Sequence, residues 1–475
     1  MRSNRTLPLL VLTLAIPAIA QGPPSQPDRP WHSADEQRIA SEAKRFGQPG
    51  SLPSPDKVYS LAELVELAET HNPETRVAWE NARARAAALG IARSDLYPVL
   101  TALALAGVDR SEIPLGTRFY RFTIPAFEAT LDLSYTIFDF GARRSRINAE
   151  SARLLEANFA FNDVHRRLIF EVQAAYYRLL NASGQEGAAR ASLDNAQTVQ
   201  NAAEARLHNG LATLPDVLEA RSATAQAQYE LQAVLGAEEN ARGDLATALG
   251  FPAATTIHVQ PLNDVPTPES VGETVDQVID RALDQRPDFQ QQLAGVDAAS
   301  AERKQARAAF FPSLNLRASP SVQSLYAMQQ NLPWGHTADI TGGLDFSLNW
   351  TVFDGGARRN RLEQADSDIR QAEARVADTR DRIEDEVWTS YSNLKTAFRQ
   401  RDAATALLQA ASQSYSAALE SYNYGVRSLL DVTAAQRVLA QARSEDILAR
   451  TQVLTALADL AFRAGDAIQR NAARP

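Results

Sequence analysis

The chain has 475 residues, of which 45% are apolar, 22% charged and only 7% aromatic, and it has no cysteine. This composition folds, and it excludes disulfides, thiolate chemistry, cysteine zinc sites and a lipid on an N-terminal cysteine. The formal charge is −9, falling to −11 if the segment holding Arg2 and Arg5 is removed, and an acidic balance argues against nucleic acid as a partner.

The chain opens with a short basic stretch, MRSNR, followed by the apolar run TLPLLVLTLAIPAIA. The run ends in Ala18-Ile19-Ala20 before Gln21. A basic start, a short apolar core and a small-x-small end predict a signal peptide over residues 1–20. Residues 21–57 are rich in Pro, Gly, Ser and Asp and read as an extended arm. No later segment has a charge-free apolar stretch long enough for a transmembrane helix.

An internal repeat organises the rest. His71-Asn72-Pro73-Glu74 is echoed by Gln285-Arg286-Pro287-Asp288, and RSDLYPVL at 93–100 by RAAFFPSL at 307–314, both 214 residues apart. After one inserted residue the offset is 215. LSYTIFDFGARRSR at 133–146 then matches LNWTVFDGGARRNR at 348–361, Gly210 matches Gly425, and Asp216-Val217 matches Asp431-Val432. A nearly constant offset over so many sites means duplication. The first repeat is expected at 58–257, a linker at 258–270, the second repeat at 271–468 and a tail at 469–475. Each half reads as helix, two strands, very long helix, sharp tip, helix.

Strands are expected at about 98–107, 126–138, 312–321 and 340–353. In the second of these, Leu131, Leu133 and Tyr135 alternate with Asp132 and Ser134; in the fourth, Phe346, Leu348 and Trp350 alternate with Asp345 and Asn349. Alternation alone fits a half-buried soluble sheet or a membrane barrel wall. Strand lengths near the ~9–11 residues that cross a bilayer, and aromatics near the strand ends, favour the wall. Four strands are too few for a closed barrel, and an open edge in lipid leaves backbone groups unpaired. Sister copies must complete the wall, and three copies supply twelve strands. Asp132, Ser134, Asp345 and Asn349 are then the lumen candidates, with Leu131, Leu133, Tyr135, Phe346, Leu348 and Trp350 facing lipid.

Gly141 to His208 and Gly356 to Tyr424 contain no proline. Helices of this length approach ~100 Å, which implies a coiled coil or a tube wall. Their apolar positions are sparse and many are alanine, so each helix packs on few neighbours. The tips, RLHNGLATLPDVLEA at 206–220 and YNYGVRSLLDVTAA at 422–435, each place one glycine between helices, with turns near 209–214 and 424–429. Gly210 and Gly425 suit the left-handed backbone that ends a helix; Asp216 and Asp431 suit the opening turn of the next.

These paired motifs resemble the TolC-like outer membrane efflux protein family. They are NPE and RPD helix starts, YP and FP strand starts, IFDFG and VFDGG strand exits, and GLATLPDV and GVRSLLDV tips. The resemblance covers about residues 58–468. It implies a mixed α and β membrane protein: a homotrimer with a twelve-stranded β-barrel, four strands per chain, continuous with a long α-helical coiled-coil barrel in the periplasm of a Gram-negative cell. It implies a periplasmic adaptor and an inner-membrane pump as partners, outer-membrane lipid around the barrel, and passive efflux of small toxic compounds. The same duct serving type I protein secretion is the alternative; a non-conducting periplasmic coiled-coil scaffold is the alternative of a different class. In relatives the two turns meet the adaptor, which carries over to Asn209, Gly210, Leu211, Tyr424, Gly425 and Val426. The family's second tip often bears two acidic residues that ring the periplasmic aperture. Asp431 matches the first, and Ala434 stands at the second. Capping remains the other reading of Asp431.

Nothing in the sequence points to catalysis. Six histidines lie scattered without metal-ligand spacing, and no phosphate-binding or dinucleotide glycine pattern occurs. No cofactor, no metal and no enzyme activity are expected.

Overall fold

The structure, a computed structural model, describes residues 39, 41–42, 52–54, 57–262, 265, 272–329 and 333–466. The expected signal peptide, most of the arm, part of the linker and the tail lie outside them. Met1–Ser54 separates as one unit and Pro55–Pro475 as another; the sheet, the long helices and both tips belong to the second.

In chain order the first half comprises β1 (Val58–Tyr59), α1 (Leu61–His71), α2 (Pro73–Ser94), β2 (Val99–Leu115), β3 (Arg118–Phe138), α3 (Ala142–His208) and α4 (Leu214–Ala248). After β4 (His258–Val259), the second half comprises α5 (Val275–Gln285), α6 (Pro287–Ala308), β5 (Ser313–Ala318), β6 (Ser321–Gln329), β7 (Gly335–Thr341), β8 (Leu344–Asn349), α7 (Ala357–Asn423) and α8 (Leu429–Ala464). Where one helix was expected before the strands, each half has two. The residue before a proline is pushed out of the helical region, and Asn72 and Arg286 take extended backbone at the breaks.

The expected strand bounds need correction. The first hairpin, expected at about 98–107 and 126–138, reaches Leu115 and starts back at Arg118. Pro125 and charged residues such as Asp109, Arg110 and Arg121 hide the extension from a search for alternation. Pro125 has no N–H for a ladder, and the β3–β6 pairing skips it between Thr123 and Ala126. At 17 and 21 residues these strands exceed the ~9–11 needed to cross a bilayer. In the second half, the strands expected at 312–321 and 340–353 are each interrupted. β5 gives way to β6 at Ser319-Pro320, and β7 to β8 at Gly342-Gly343. A Cβ on Gly342 would stand 3.0 Å from Pro320 Cα, so a side chain at this bend would crowd the Pro320 backbone, and glycine avoids that. β8 stops at Asn349, and Trp350 lies just past it.

The sheet runs β7-β6-β3-β5-β8, with β2 on the other side of β3. β2 pairs antiparallel with β3 along its whole length, β3 with β5 and β6, β5 with β8, and β6 with β7. Taking β5–β6 and β7–β8 as two bent strands, four alternating antiparallel strands cross the sheet. β2 and the β7–β8 strand are its open edges.

α3 and α7 each run 67 residues, about 100 Å at a helix's rise per residue. Three buried clusters hold the helices. Leu64, Leu168, Val172, Tyr176 and Leu245 join α1, α3 and α4. Val278, Ile383, Val387, Leu394 and Val453 repeat that packing in α5, α7 and α8. A third cluster unites the halves near the tips: Val199, Ala203 and Val217 pack with Tyr415, Tyr422, Leu429 and Val432. Elsewhere the long helices leave much surface uncovered, as thin apolar seams require.

Candidate channel wall and hairpin tips

Sheet register sorts the wall residues onto two faces, because directly paired residues share a face. Arg317 pairs with Ser134 on one side and Asp345 on the other; Ser313 pairs with Asn349 and Thr101 with Asp132. Asp132, Ser134, Asp345 and Asn349 therefore lie on one face, as their alternation predicts. On the other face Tyr135 pairs with Leu316, which pairs with Phe346; Leu133 pairs with Ala318 and Leu348 with Leu314. Leu131 belongs to this face by alternation. Leu131, Phe346, Leu348 and Trp350 are exposed in the isolated subunit. Trp350 donates its indole N–H to the Phe310 carbonyl at 3.2 Å.

A groove gathers the polar face. It is lined by Asp132, Ser134, Thr136, Asn315, Arg317 and Asn349, together with Asp95 and Arg143 at the helix ends. Arg317 reaches across from β5 and donates to Asp132 on β3 at 2.7–2.8 Å. The sequence places Arg317 on the polar face of its strand. Its partner depends on the β3–β5 register, which no local pattern encodes.

The tips are built by reciprocal capping. At the first, the Gly210 N–H donates to the Leu207 carbonyl at 2.9 Å and the Leu211 N–H to the Arg206 carbonyl at 2.8 Å. At the second, Gly425 donates to Tyr422 and Val426 to Ser421, both at 2.9 Å. This double closure needs a left-handed residue after the helix, and φ is 72° at Gly210 and 78° at Gly425. Asp216 Oδ2 then accepts from the Thr213 N–H and hydroxyl at 2.8 and 2.7 Å, starting α4. Asp431 Oδ2 accepts from the Ser428 N–H and hydroxyl at 3.1 and 2.8 Å, starting α8. The hydroxyl and amide donors hold both carboxyls below the ordinary range for aspartate. In the isolated subunit the Asp431 carboxylate thus caps its own helix.

Arg206, not singled out by sequence, ties the two tips together. Its guanidinium donates to the Tyr422 carbonyl at 2.6 Å and lies over the Tyr422 ring at 4.6 Å. A cation at the end of α7 also complements the helix dipole. Beyond this clamp, Asn209, Gly210, Leu211, Tyr424, Gly425 and Val426 are all exposed. Leu214 and Leu430 add exposed apolar surface beside them.

Comparison with known proteins agrees with this architecture. The chain matches the outer membrane efflux protein family over residues 64–251 and 278–466, once in each half. It is 29% identical to protein CyaE of Bordetella pertussis over 87% of this chain and 86% of that protein. It is 26% identical to the toluene efflux pump outer membrane protein TtgC of Pseudomonas putida over 94% and 89% of the two chains. The fold superposes on the solved outer-membrane channel OprN with a TM-score of 0.75, at 22% identity, covering 88% of this chain and 95% of that one. The chain belongs to the outer membrane efflux protein family.

Proposed function

We propose that the protein is the outer-membrane duct of a tripartite pump and passively conducts small toxic compounds out of the periplasm. One observation carries the conduit reading: the sheet is apolar on one face, and its polar face continues to the helix ends Asp95 and Arg143. Three such sheets closed edge to edge present apolar side chains to lipid and a hydrated interior lined by Asp132, Ser134, Asp345 and Asn349. The toluene pump relative favours small apolar cargo.

The exposed tips serve as the docking surface for a periplasmic adaptor, itself joined to an inner-membrane pump. Leu211, Tyr424 and Val426 offer apolar contacts on turns whose backbone is already satisfied. Asp431 has a second role in the trimer. Three copies around the axis bring like charges together at the narrow mouth and favour cations. The Ser428 hydrogen bonds that fix its carboxylate help keep that ring ionised.

Planar-bilayer recording tests the duct. Purified trimer should give discrete conductance steps, and absence of conductance from inserted trimer would sink the reading. Leu348→Arg should impair insertion, since a cation on the lipid face costs about 2–4 kcal/mol at mid-bilayer. Ser134→Arg should insert normally and change conductance.

A further inference from the structure

We propose that the barrel closes by pairing β8 and the residues after it with β2 of the next subunit in one register: Leu348 opposite the partner's Ala104, Asn349 opposite the partner's Leu103, Trp350 opposite the partner's Ala102, and Thr351 opposite the partner's Thr101. The inference rests on the trimeric fold, and the register comes from the chain's own duplication.

The two hairpins are equivalent to the residue. Leu100 pairs with Leu133 in the first and Leu314 with Leu348 in the second, at offsets of 214 and 215. Thr101 with Asp132 likewise becomes Asn315 with Ser347. Inside one chain, the exit strand of the first half pairs with the starting strand of the second: Leu133 with Ala318, Ser134 with Arg317, Tyr135 with Leu316, Thr136 with Asn315. A ring of equivalent halves repeats that junction at the subunit boundary. The exit strand of the second half then meets the starting strand of the next chain's first half. Shifting each residue of the internal junction by the repeat offset gives the proposed register.

Three observations support it independently of the arithmetic. β3 remains a strand through Phe138, and its residues from Tyr135 on are paired only with β5. The equivalent residues 350–353 have no ladder among the described residues and are not strand. They lack what β5 supplies to β3. Next, the register keeps the faces. Ala102 and Ala104 pair with Leu131 and Ala129, so they share the apolar face with Leu348 and Trp350, and small residues meet large ones. A slip of one residue would set Leu348 against the polar face. Last, Phe138 and Phe311 are clasped by Phe140, at 4.7 and 4.9 Å between ring centroids. Their counterparts Phe353 and Tyr97 are 86% and 68% exposed, against 53% and 48% for the clasped pair. The clasping ring itself has no counterpart, since Gly355 stands at the position equivalent to Phe140; what a second copy brings together is Phe353 and Tyr97 themselves.

Cysteine cross-linking reads the register without background, because the chain has no native thiol. The in-register variants are Leu348→Cys with Ala104→Cys and Asn349→Cys with Leu103→Cys. These adjacent pairs alternate between the two antiparallel site types, and the one with closer side chains bridges best. Leu348→Cys with Ala102→Cys, and with Ala106→Cys, are the slipped controls. Within one chain the two positions stand on opposite sheet edges, at least ~14 Å apart from the three strand spacings alone, too far for a disulfide. Oxidation of detergent-solubilised trimer should convert the monomer band to reducible covalent dimer and trimer for an in-register pair and leave the slipped pairs monomeric. Should the apolar variants not assemble, Thr351→Cys with Thr101→Cys decides on the polar face. Assembled trimer that cross-links mainly in a slipped pair, or in none, overturns the register. A trimer cross-linked as proposed but conducting nothing would overturn the duct instead.

Discussion

The two halves place the same helix break in the same slot and fill it with different chemistry. In the first, Asn72 accepts from the Glu74 N–H at 2.8 Å and donates to the Ala248 carbonyl at 3.1 Å. In the second, buried Arg286 donates to Asp288 at 2.6 Å and to Glu386 at 2.8 Å, with Arg463 also on Glu386 at 3.0 Å. Glu171 and Glu386 are repeat equivalents, yet their acidities diverge. Partial desolvation, then the nearby Glu74 charge, raises Glu171 above the ordinary value although its residue is largely exposed. Burial also pushes Glu386 upward, but the Arg286 hydrogen bond and charge outweigh it and the group ends below the ordinary value. Duplication conserves where a side chain sits; its neighbour decides whether its charge is tolerated.

The comparison can be broken most forcefully at Arg286. Arg286→Met removes the cation that Asp288 and Glu386 share, leaving Asp288 with Arg166 at 3.6 Å and Glu386 with Arg463 at 3.0 Å, and should cost about 1.5–3 kcal/mol, the range for losing hydrogen bonds to charged groups. Thermal unfolding of detergent-solubilised trimer measures it. Adding Asp288→Asn and Glu386→Gln should recover much of the loss, and no recovery would mean that the site matters for packing instead.

The two glutamates sharpen it through sign. Glu386, with its lowered folded value, contributes stability above the usual carboxylate range, and that stability is lost as pH falls through the folded value. Glu386→Gln should therefore lower the melting temperature at pH 7 and matter little at the acid end. Glu171, with its raised value, contributes stability when protonated, and that is lost as pH rises through the folded value. Glu171→Gln should raise the melting temperature at pH 8 and change it little near pH 4. Equal responses at the two positions would refute the contrast. The smallest effect belongs to Asn72→Ala, which removes a helix cap worth about 1 kcal/mol; the same melting curve detects it.

Much of this was legible in the residues. Alternation over 127–138 identified the two sheet faces, and glycine with aspartate marked both tips, because those signals are local. What escaped was set at a distance. The upper half of the first hairpin belongs to a ladder of 17 registered residue pairs that runs the whole length of β2, despite Pro125 and its charges. Arg317 finds Asp132, and Arg206 finds Tyr422, only once separate elements are aligned. Trp350 is expected within a strand, but β8 stops at Asn349 and Trp350 has no ladder partner among the described residues.

The two open sheet edges constrain how the particle is made. A lone subunit has nothing to satisfy its edge amides and carbonyls within hydrocarbon, so it has no stable resting place there. In water those same edges invite indiscriminate pairing. Association and insertion are thus thermodynamically one event, and the yield of finished particles scales with subunit encounter as well as with folding of the individual polypeptide.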